Sequence, residues 1–281
     1  MLELLEWTAG HLSEKGFDEA RLTVDLLLAH VLRLRRLDLY LQFDRVLLPD
    51  ELAAFRGMYE RRLTHEPLQY ILGETEFMGL KLKLGRAALI PRPETEQLVE
   101  HAVAASAGLG KEDLQILDVG TGSGNVALAL AQRLPGARVT SIDNSSEALL
   151  LAARNAADNR ITGVTFLEAD IFGSLMDDRV FDLIVSNPPY VSAGEYACLE
   201  PEVRDFEPRL ALTDGGDGLR FHRRIADRAR ALLRQGGLVF VEVGYNQAEA
   251  VREIFERQGL GNIVIHRDFA EIKRVVSAIQ P

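Results

Sequence analysis

Apolar residues recur at helical spacing through the first 74 positions. Val24, Leu27, Leu28, Val31 and Leu32 fall at i, i+3, i+4, i+7 and i+8, with Asp18 ahead of them as the expected N-cap. After Pro49, the set Leu52, Phe55, Tyr59 and Leu63 repeats that spacing, and Pro67 and Gly73 end it. The period then changes from helical to two. Leu80, Leu82 and Leu84 share one face and Lys81 and Lys83 the other, which predicts a short strand or hairpin between two domains.

From about residue 86 strands alternate with helices. Pro93-Glu94-Thr95-Glu96 supplies a proline and two acids for a first helical turn, continued by Leu98, Val99, Ala102 and Val103. Apolar runs predict strands at 114–119, 138–142, 164–167, 181–185 and 238–243, with helices at 126–134 and 147–157. Strands that are apolar throughout, alternating with helices, predict a mostly parallel α/β sheet covered on both faces. The expected organisation is a helical domain over residues 1–74, a β-hairpin linker over 75–92 and an α/β domain over 93–281.

Composition narrows the class. The chain has 281 residues with 47% apolar and 26% charged side chains, which is the balance of a folded, water-soluble protein. The single cysteine, Cys198, has no internal disulfide partner, and the six histidines show no zinc-site spacing, so no metal is expected. The acidic start Met1-Leu2-Glu3-Leu4-Leu5-Glu6 lacks the base of a signal peptide, and Asp25, His30 and Arg33 break the most apolar early stretch; a cytoplasmic location with no membrane association is the expectation. Net charge is −10, and residues 1–75 carry nine Lys/Arg against thirteen Asp/Glu, so no basic domain hides behind the average. That field repels polyphosphate and argues against a large nucleic-acid surface.

Two segments carry candidate chemistry. Gly120-Thr121-Gly122-Ser123-Gly124 follows the strand ending in Asp118-Val119 and opens a helix, which is where exposed N–H groups and absent side chains let backbone approach a ligand. Asn125 stands where a dinucleotide fingerprint places its third glycine, and no GK[ST] phosphate loop occurs. Asp143, twenty-five residues after Asp118 and ending the next strand, sits where such sheets hold an acid for ribose hydroxyls, and its charge repels a 2′-phosphate. The alternative reading is that the glycines only make a tight turn and Asp143 caps the next helix.

The second segment is Asn187-Pro188-Pro189-Tyr190, after the apolar strand Phe181–Ser186 and so at the ligand-facing end of the sheet. The Asn187 amide oxygen and the Pro188 carbonyl are two acceptors on a stiff chain without competing proline N–H donors. Two adjacent acceptors fit an NH₂ group. A conjugated amide nitrogen is a weak nucleophile, and gripping both its hydrogens aims it and stabilises the positive charge that grows as it attacks. Tyr190 can stack on or wall in the planar group; the alternative reading is that the prolines only end the strand and Tyr190 is a core residue. A ribose-bearing cofactor on the loop with an NH₂ at Asn187 makes the sulfonium of S-adenosylmethionine the natural electrophile, and methyl transfer to nitrogen the expected reaction.

These residues resemble the HemK/PrmC protein-(glutamine-N5) methyltransferases, which modify peptide chain release factors. The likeness extends over nearly the whole chain through Pro67-Leu68-Gln69-Tyr70-Ile71-Leu72-Gly73, Leu89-Ile90-Pro91-Arg92-Pro93-Glu94-Thr95-Glu96, the glycine loop, Asn187–Tyr190 and Arg204-Asp205-Phe206-Glu207-Pro208. The first two segments are the more specific, because glycine loops and Asn-Pro-Pro-Tyr also occur in adenine-N6 methyltransferases. The resemblance implies a seven-stranded Rossmann-like methyltransferase domain, its last strand pair antiparallel, behind a helical domain and hairpin. It implies that Gly120, Thr121, Gly122, Ser123, Gly124, Asp143, Ile171 and Asn187 contact S-adenosylmethionine. It also implies that Asn187, Pro188, Pro189 and Tyr190 grip the glutamine of a Gly-Gly-Gln loop in class 1 release factors, with Asn187, Pro188 and Tyr190 as the catalytic set, and that the helical domain helps recognise that protein.

Ile171 stands where an aromatic residue often flanks the adenine, so apolar packing rather than stacking is expected there. Asp170 has two readings, an adenine contact or a helix cap. Arg92 and Glu94 are expected to cover the cofactor or pair with each other, Glu207 and Arg204 to lie on a solvated loop, and Lys273-Arg274 to differ from the expected Asp-Arg only at the surface. Cys198 is expected to have no catalytic role. The rival readings are an adenine-N6 methyltransferase acting on DNA or RNA, against which the net acidity counts, and a noncatalytic module that binds the cofactor while the helical domain docks a partner.

Overall fold

The computed structural model describes residues 1–173 and 180–281. In chain order its elements are helices α1 (Leu2–Glu14), α2 (Ala20–Leu32), α3 (Arg36–Leu41), α4 (Pro49–Leu63) and α5 (Leu68–Leu72), then strands β1 (Glu74–Phe77) and β2 (Leu80–Lys83). There follow α6 (Pro93–Ser106), β3 (Gln115–Val119), α7 (Asn125–Arg133), β4 (Arg138–Asp143), α8 (Ser146–Asp158), β5 (Val164–Glu168) and β6 (Phe181–Ser186). The chain continues through α9 (Ala193–Tyr196), α10 (Pro201–Phe206), α11 (Arg209–Leu212), α12 (Arg220–Leu232), β7 (Leu233–Glu242), α13 (Ala248–Arg257), β8 (Gly261–Arg267) and β9 (Lys273–Ile279).

The chain divides into two compact units, residues 1–73 with 201–206, and residues 74–200 with 207–281. The first is helical. Leu5, Leu12, Val24, Leu27, Leu28, Leu39, Phe55 and Tyr59 form its core, while Val31, Leu32 and Leu63 pack half-buried at the edge. Leu52 is exposed, so the buried stripe of α4 starts at Phe55. Asp18 does not cap α2. Glu19, in the left-handed region at φ +50°, takes the cap position because its carbonyl accepts the first helical hydrogen bond, from the Thr23 N–H at 2.9 Å. Helix α10 joins this unit through Glu202, which pairs with the buried Arg62, whose guanidinium lies 4.5 Å from the centre of the Phe17 ring.

In the second unit β1 and β2 pair as an antiparallel hairpin with Leu80 and Leu82 buried and Lys81 exposed, which is the period of two expressed as burial. The main sheet has the order β5-β4-β3-β6-β7-β9-β8. Strands β3 to β7 are mutually parallel, and β9 runs antiparallel to both β7 and β8. Apolar strand residues feed two cores, Leu117, Val119, Ile184, Val239 and Val241 on one face and Ile116, Leu183, Val185, Leu238 and Phe240 on the other. Strand β7 begins five residues earlier than its apolar run, because Leu233 pairs with Phe181 across a register shift before the regular ladder resumes at Leu238. The order reverses between β3 and β6, whose pairing ends at Val119 opposite Ser186, so the glycine loop and Asn187 leave the sheet side by side.

Candidate active site

The glycine loop is shaped by backbone that side chains disfavour. Gly120, Gly122 and Gly124 have φ of +87°, +53° and +85°. The N–H groups of Gly120 and Thr121 both bond to the Ile142 carbonyl, at 2.9 and 3.1 Å, which pins the loop to the end of β4. A side chain on Gly120 would meet the Asn187 carbonyl oxygen at 3.7 Å, and one on Gly124 would press within 3.0 Å of the Ala152 methyl in α8. Asp143 accepts the Gly122 N–H and the Ser145 N–H, each at 2.9 Å, and Ser145 rather than Asp143 caps α8 by accepting the Ala148 N–H. Each carboxylate oxygen keeps a second lone pair for a ligand hydroxyl.

Beneath the loop lies a buried relay. Ser141 donates to Asp118 at 2.5 Å and stands 2.6 Å from the Thr121 hydroxyl. Burial drives the Asp118 carboxyl up to about 7, the Ser141 bond pulls the other way, and the nearby Asp143 charge adds to the rise.

The corner after β6 rests on a second relay that comes from distant parts of the chain. The Asn187 amide nitrogen donates to the Thr95 hydroxyl at 3.1 Å, and Thr95 donates to Glu242 at 2.7 Å. The Tyr190 hydroxyl donates to the other Glu242 oxygen at 3.3 Å, and the Tyr190 carbonyl accepts from Gln247 at 2.8 Å. Glu242 is 2% exposed, and burial raises its carboxyl to about 7 against the bonds from Thr95 and Tyr190. The same burial, and the Glu242 charge, push the Tyr190 phenol above its usual range.

Both segments open on one cavity of about 380 Å³, within the size range of small-molecule sites. Of the residues singled out in the sequence, Gly120, Gly122, Ser123, Asp143, Asp170, Ile171, Asn187, Pro188 and Pro189 line it. Thr121, Gly124 and Tyr190 lie outside its lining. Thr121 is buried in the Ser141 relay, Gly124 packs on α8, and Tyr190 is turned to Glu242. Asp170 is exposed and accepts the Phe172 N–H at 2.9 Å, so it shapes the turn that presents Ile171. Arg92 lines the cavity, and its partner is Glu207 rather than Glu94. Glu207 is 5% exposed and also accepts the Ile90 N–H at 3.1 Å, so it is a buried anchor for the cavity wall and not part of a solvated loop. Arg204 pairs with its neighbour Asp205, and Cys198 is exposed.

Three features escaped the sequence reading. Thr95 and Phe221 line the cavity, and Glu242 holds Thr95 from below. The signal for Thr95 was present as a hydroxyl in an acid-rich helix start, but nothing local ties it to Asn187. Arg274 is also more than a surface residue. Its charge stabilises the ionised forms of Glu242 and Tyr190 while it pairs with Asp268 at 3.2 Å; Lys273 pairs with Glu249 at the surface.

The cavity fits S-adenosylmethionine. Two glycines without side chains leave room for close approach, Asp143 offers acceptors to a diol, and Ile171 and Phe221 give an apolar wall for a purine. A family described as the PrmC N-terminal domain matches residues 3–73, and one described as a methyltransferase domain matches residues 110–266. The release factor glutamine methyltransferase of Geobacter sulfurreducens is 46% identical over 98% of this chain and 94% of its own length. That of Chlorobaculum tepidum is 44% identical over 99% of this chain and 97% of its own. Among solved structures, the hMettl16 catalytic domain in complex with MAT2A 3'UTR hairpin 6 superposes with a TM-score of 0.58 at 17% identity, covering 80% of this chain and 82% of that one, a likeness of fold alone.

Proposed function

The chain belongs to the release factor glutamine methyltransferase family, and on that premise we propose that it methylates the side-chain nitrogen N5 of the glutamine in the Gly-Gly-Gln loop of class 1 peptide chain release factors. The observation that carries the reading is the Asn187 side chain. It lines the cavity beside the glycine loop, its amide nitrogen is committed to Thr95, and its oxygen accepts no hydrogen bond among the described residues. An unsatisfied acceptor in a partly apolar cavity selects a ligand with N–H to give.

Gly120, Gly122, Ser123, Asp143 and Ile171 hold S-adenosylmethionine in this reading, with Thr121 and Gly124 shaping the loop from behind. When bound, that cofactor supplies a sulfonium-activated methyl carbon and keeps the carbon–sulfur electron pair as it becomes a thioether. Asn187 and the Pro188 carbonyl accept the two hydrogens of the glutamine NH₂, which fixes the nitrogen and stabilises its developing positive charge. Its proton, made strongly acidic by alkylation, then leaves to water, so no side-chain base is needed. Pro189 walls the planar group. Tyr190 braces the corner through Glu242 rather than touching the reacting atoms. Residues 1–74 recognise the release factor, 75–92 link, and 93–281 carry catalysis. Among the described residues no helix is long and apolar enough to cross a membrane. A release-factor substrate would be met in the cytoplasm, which is where this reading puts the enzyme.

The relatives carry the name of a protein substrate and the net charge is −10, both of which favour this reading over adenine-N6 methylation of DNA or RNA. Transfer of radiolabelled methyl to a purified release factor tests it, with a Gln→Ala change in the Gly-Gly-Gln loop as control. Label is expected in the wild-type factor and absent from the variant. Label in nucleic acid and none in protein would reverse the assignment.

A further inference from the structure

We propose that Thr95 and Glu242 are positioning residues that decide which end of the Asn187 amide faces the substrate, an inference that rests on the glutamine reading above. The two ends of an asparagine amide are nearly identical in shape and opposite in hydrogen-bonding sense, so packing alone does not choose between them. The relay does. An ionised Glu242 only accepts, and it takes the single Thr95 hydroxyl proton at 2.7 Å. Thr95 then presents only lone pairs to Asn187, which must answer with its NH₂, at 3.1 Å. That leaves the amide oxygen directed at the cavity. The reverse orientation would set two oxygen acceptors against each other at Thr95 and would aim an NH₂ at the substrate's own NH₂, abolishing the grip.

The relay is buried and crosses the fold. Thr95 is fully buried in the first turn of α6 and Glu242 ends β7. The groups around Glu242 are Thr95 and Glu94 from α6, Tyr190 from the corner, Arg274 from β9, and His222 from α12, whose Nε2 lies 2.9 Å from the Glu242 carbonyl oxygen. Burial with the Glu94 charge outweighs Arg274 and holds the Glu242 carboxyl near 7. Above that value the carboxylate commits the Thr95 proton. Below it Glu242 carries a proton of its own, Thr95 is free to donate in either direction, and the amide is no longer held one way. Turnover by the wild-type enzyme therefore falls as pH drops through about 7.

Thr95→Val keeps the shape and removes the hydroxyl, whereas Thr95→Ser keeps the hydroxyl. We expect T95V to lower kcat about 30-fold, less than the roughly 10²-fold of removing a preorganised polar group outright because the Asn187 amide stays in place, to lose the acid limb of the pH profile, and to keep its cofactor Kd within about 2-fold of wild type, while T95S, which keeps the hydroxyl, stays within about 3-fold in kcat. A binding readout separates orientation from packing. With the enzyme loaded with S-adenosylhomocysteine, wild type should bind a release factor more tightly than its Gln→Glu variant, and T95V should narrow that ratio because a freed amide offers NH₂ to a carboxylate. T95V with wild-type kcat and wild-type preference overturns the proposal, as do equal losses in T95V and T95S. Failure of the wild-type enzyme to label the release factor overturns the functional reading itself, whereas an unimpaired T95V overturns only the role of Thr95.

Discussion

The two halves of the active site rest on the same device put to different ends. Beneath the glycine loop, Asp118 holds Ser141 and through it Thr121; beneath the corner, Glu242 holds Thr95 and through it Asn187. In both, a buried carboxyl raised to about 7 anchors a hydroxyl, and the hydroxyl anchors a segment that lines the cavity. The first relay ends inside the protein, since Thr121 is outside the cavity lining, so it fixes backbone shape. The second ends on a side chain that lines the cavity, so it fixes the direction of a functional group. Holding a cofactor by backbone N–H groups demands a rigid loop, whereas gripping a substrate amide demands one particular atom turned outward.

The contrast is sharpest when each half is cut at its ligand-facing residue. Asn187→Ala removes one of the two acceptors proposed for the glutamine NH₂ and leaves the sequence of the glycine loop unchanged. Turnover should fall about 10²-fold or more, the scale of losing one preorganised polar group, with folding roughly preserved. Single-turnover methyl transfer measures it, and unchanged turnover would remove Asn187 from the mechanism. Asp143→Ala acts on the other half. It deletes the acceptors proposed for the ribose and also frees the Gly122 and Ser145 N–H groups, so on that proposal cofactor binding should weaken first, by about 30-fold in Kd. Calorimetry with S-adenosylhomocysteine reads this directly, and a wild-type Kd would place the ribose elsewhere.

The same contrast explains what was legible in the sequence. Loop, following helix and Asp143 lie within one β–α–β stretch, and the partners in the Asp118 relay are 20 to 23 residues apart, so strand periodicity and glycine spacing nearly determine that half. Asn187 itself was legible because its strand had to end at the same edge of a parallel sheet. Its support was not. Thr95 lies 92 residues from Asn187 and 147 from Glu242, and only the β3–β6–β7 strand order, with α6 against it, brings the three together. Glu207 misled for a related reason. Its flanking Arg204, Asp205 and Pro208 read as solvated loop, but the chain folds its carboxylate inward onto Arg92 and the Ile90 N–H. Misread helix details, such as Asp18 for Glu19 as the cap of α2, turn on backbone conformation that composition does not encode.

The smallest expected effect isolates the relay that ends inside the protein. Asp118 has one oxygen without a hydrogen-bond partner, and burial raises its carboxyl from the ordinary 3.8 to about 7. A carboxyl raised in the folded state binds its proton more tightly there than in the unfolded chain. Its contribution to stability is therefore complete below about pH 4 and is lost as pH rises through about 7. Asp118→Asn resembles the protonated form and keeps an acceptor for Ser141 but cannot ionise. Its melting temperature should sit near wild type only below about pH 4 and rise further above it from pH 5 to pH 8, the gap widening by a few degrees if that change reaches about 1–2 kcal/mol. Thermal unfolding of the two proteins across that range tests this, and the difference rather than either curve is the quantity to read, because Glu242 titrates in the same window in both. A gap that stays constant with pH would mean that Asp118 is ionised throughout, and the two halves of the site would then differ in the state of their anchoring carboxyls as well as in what they anchor.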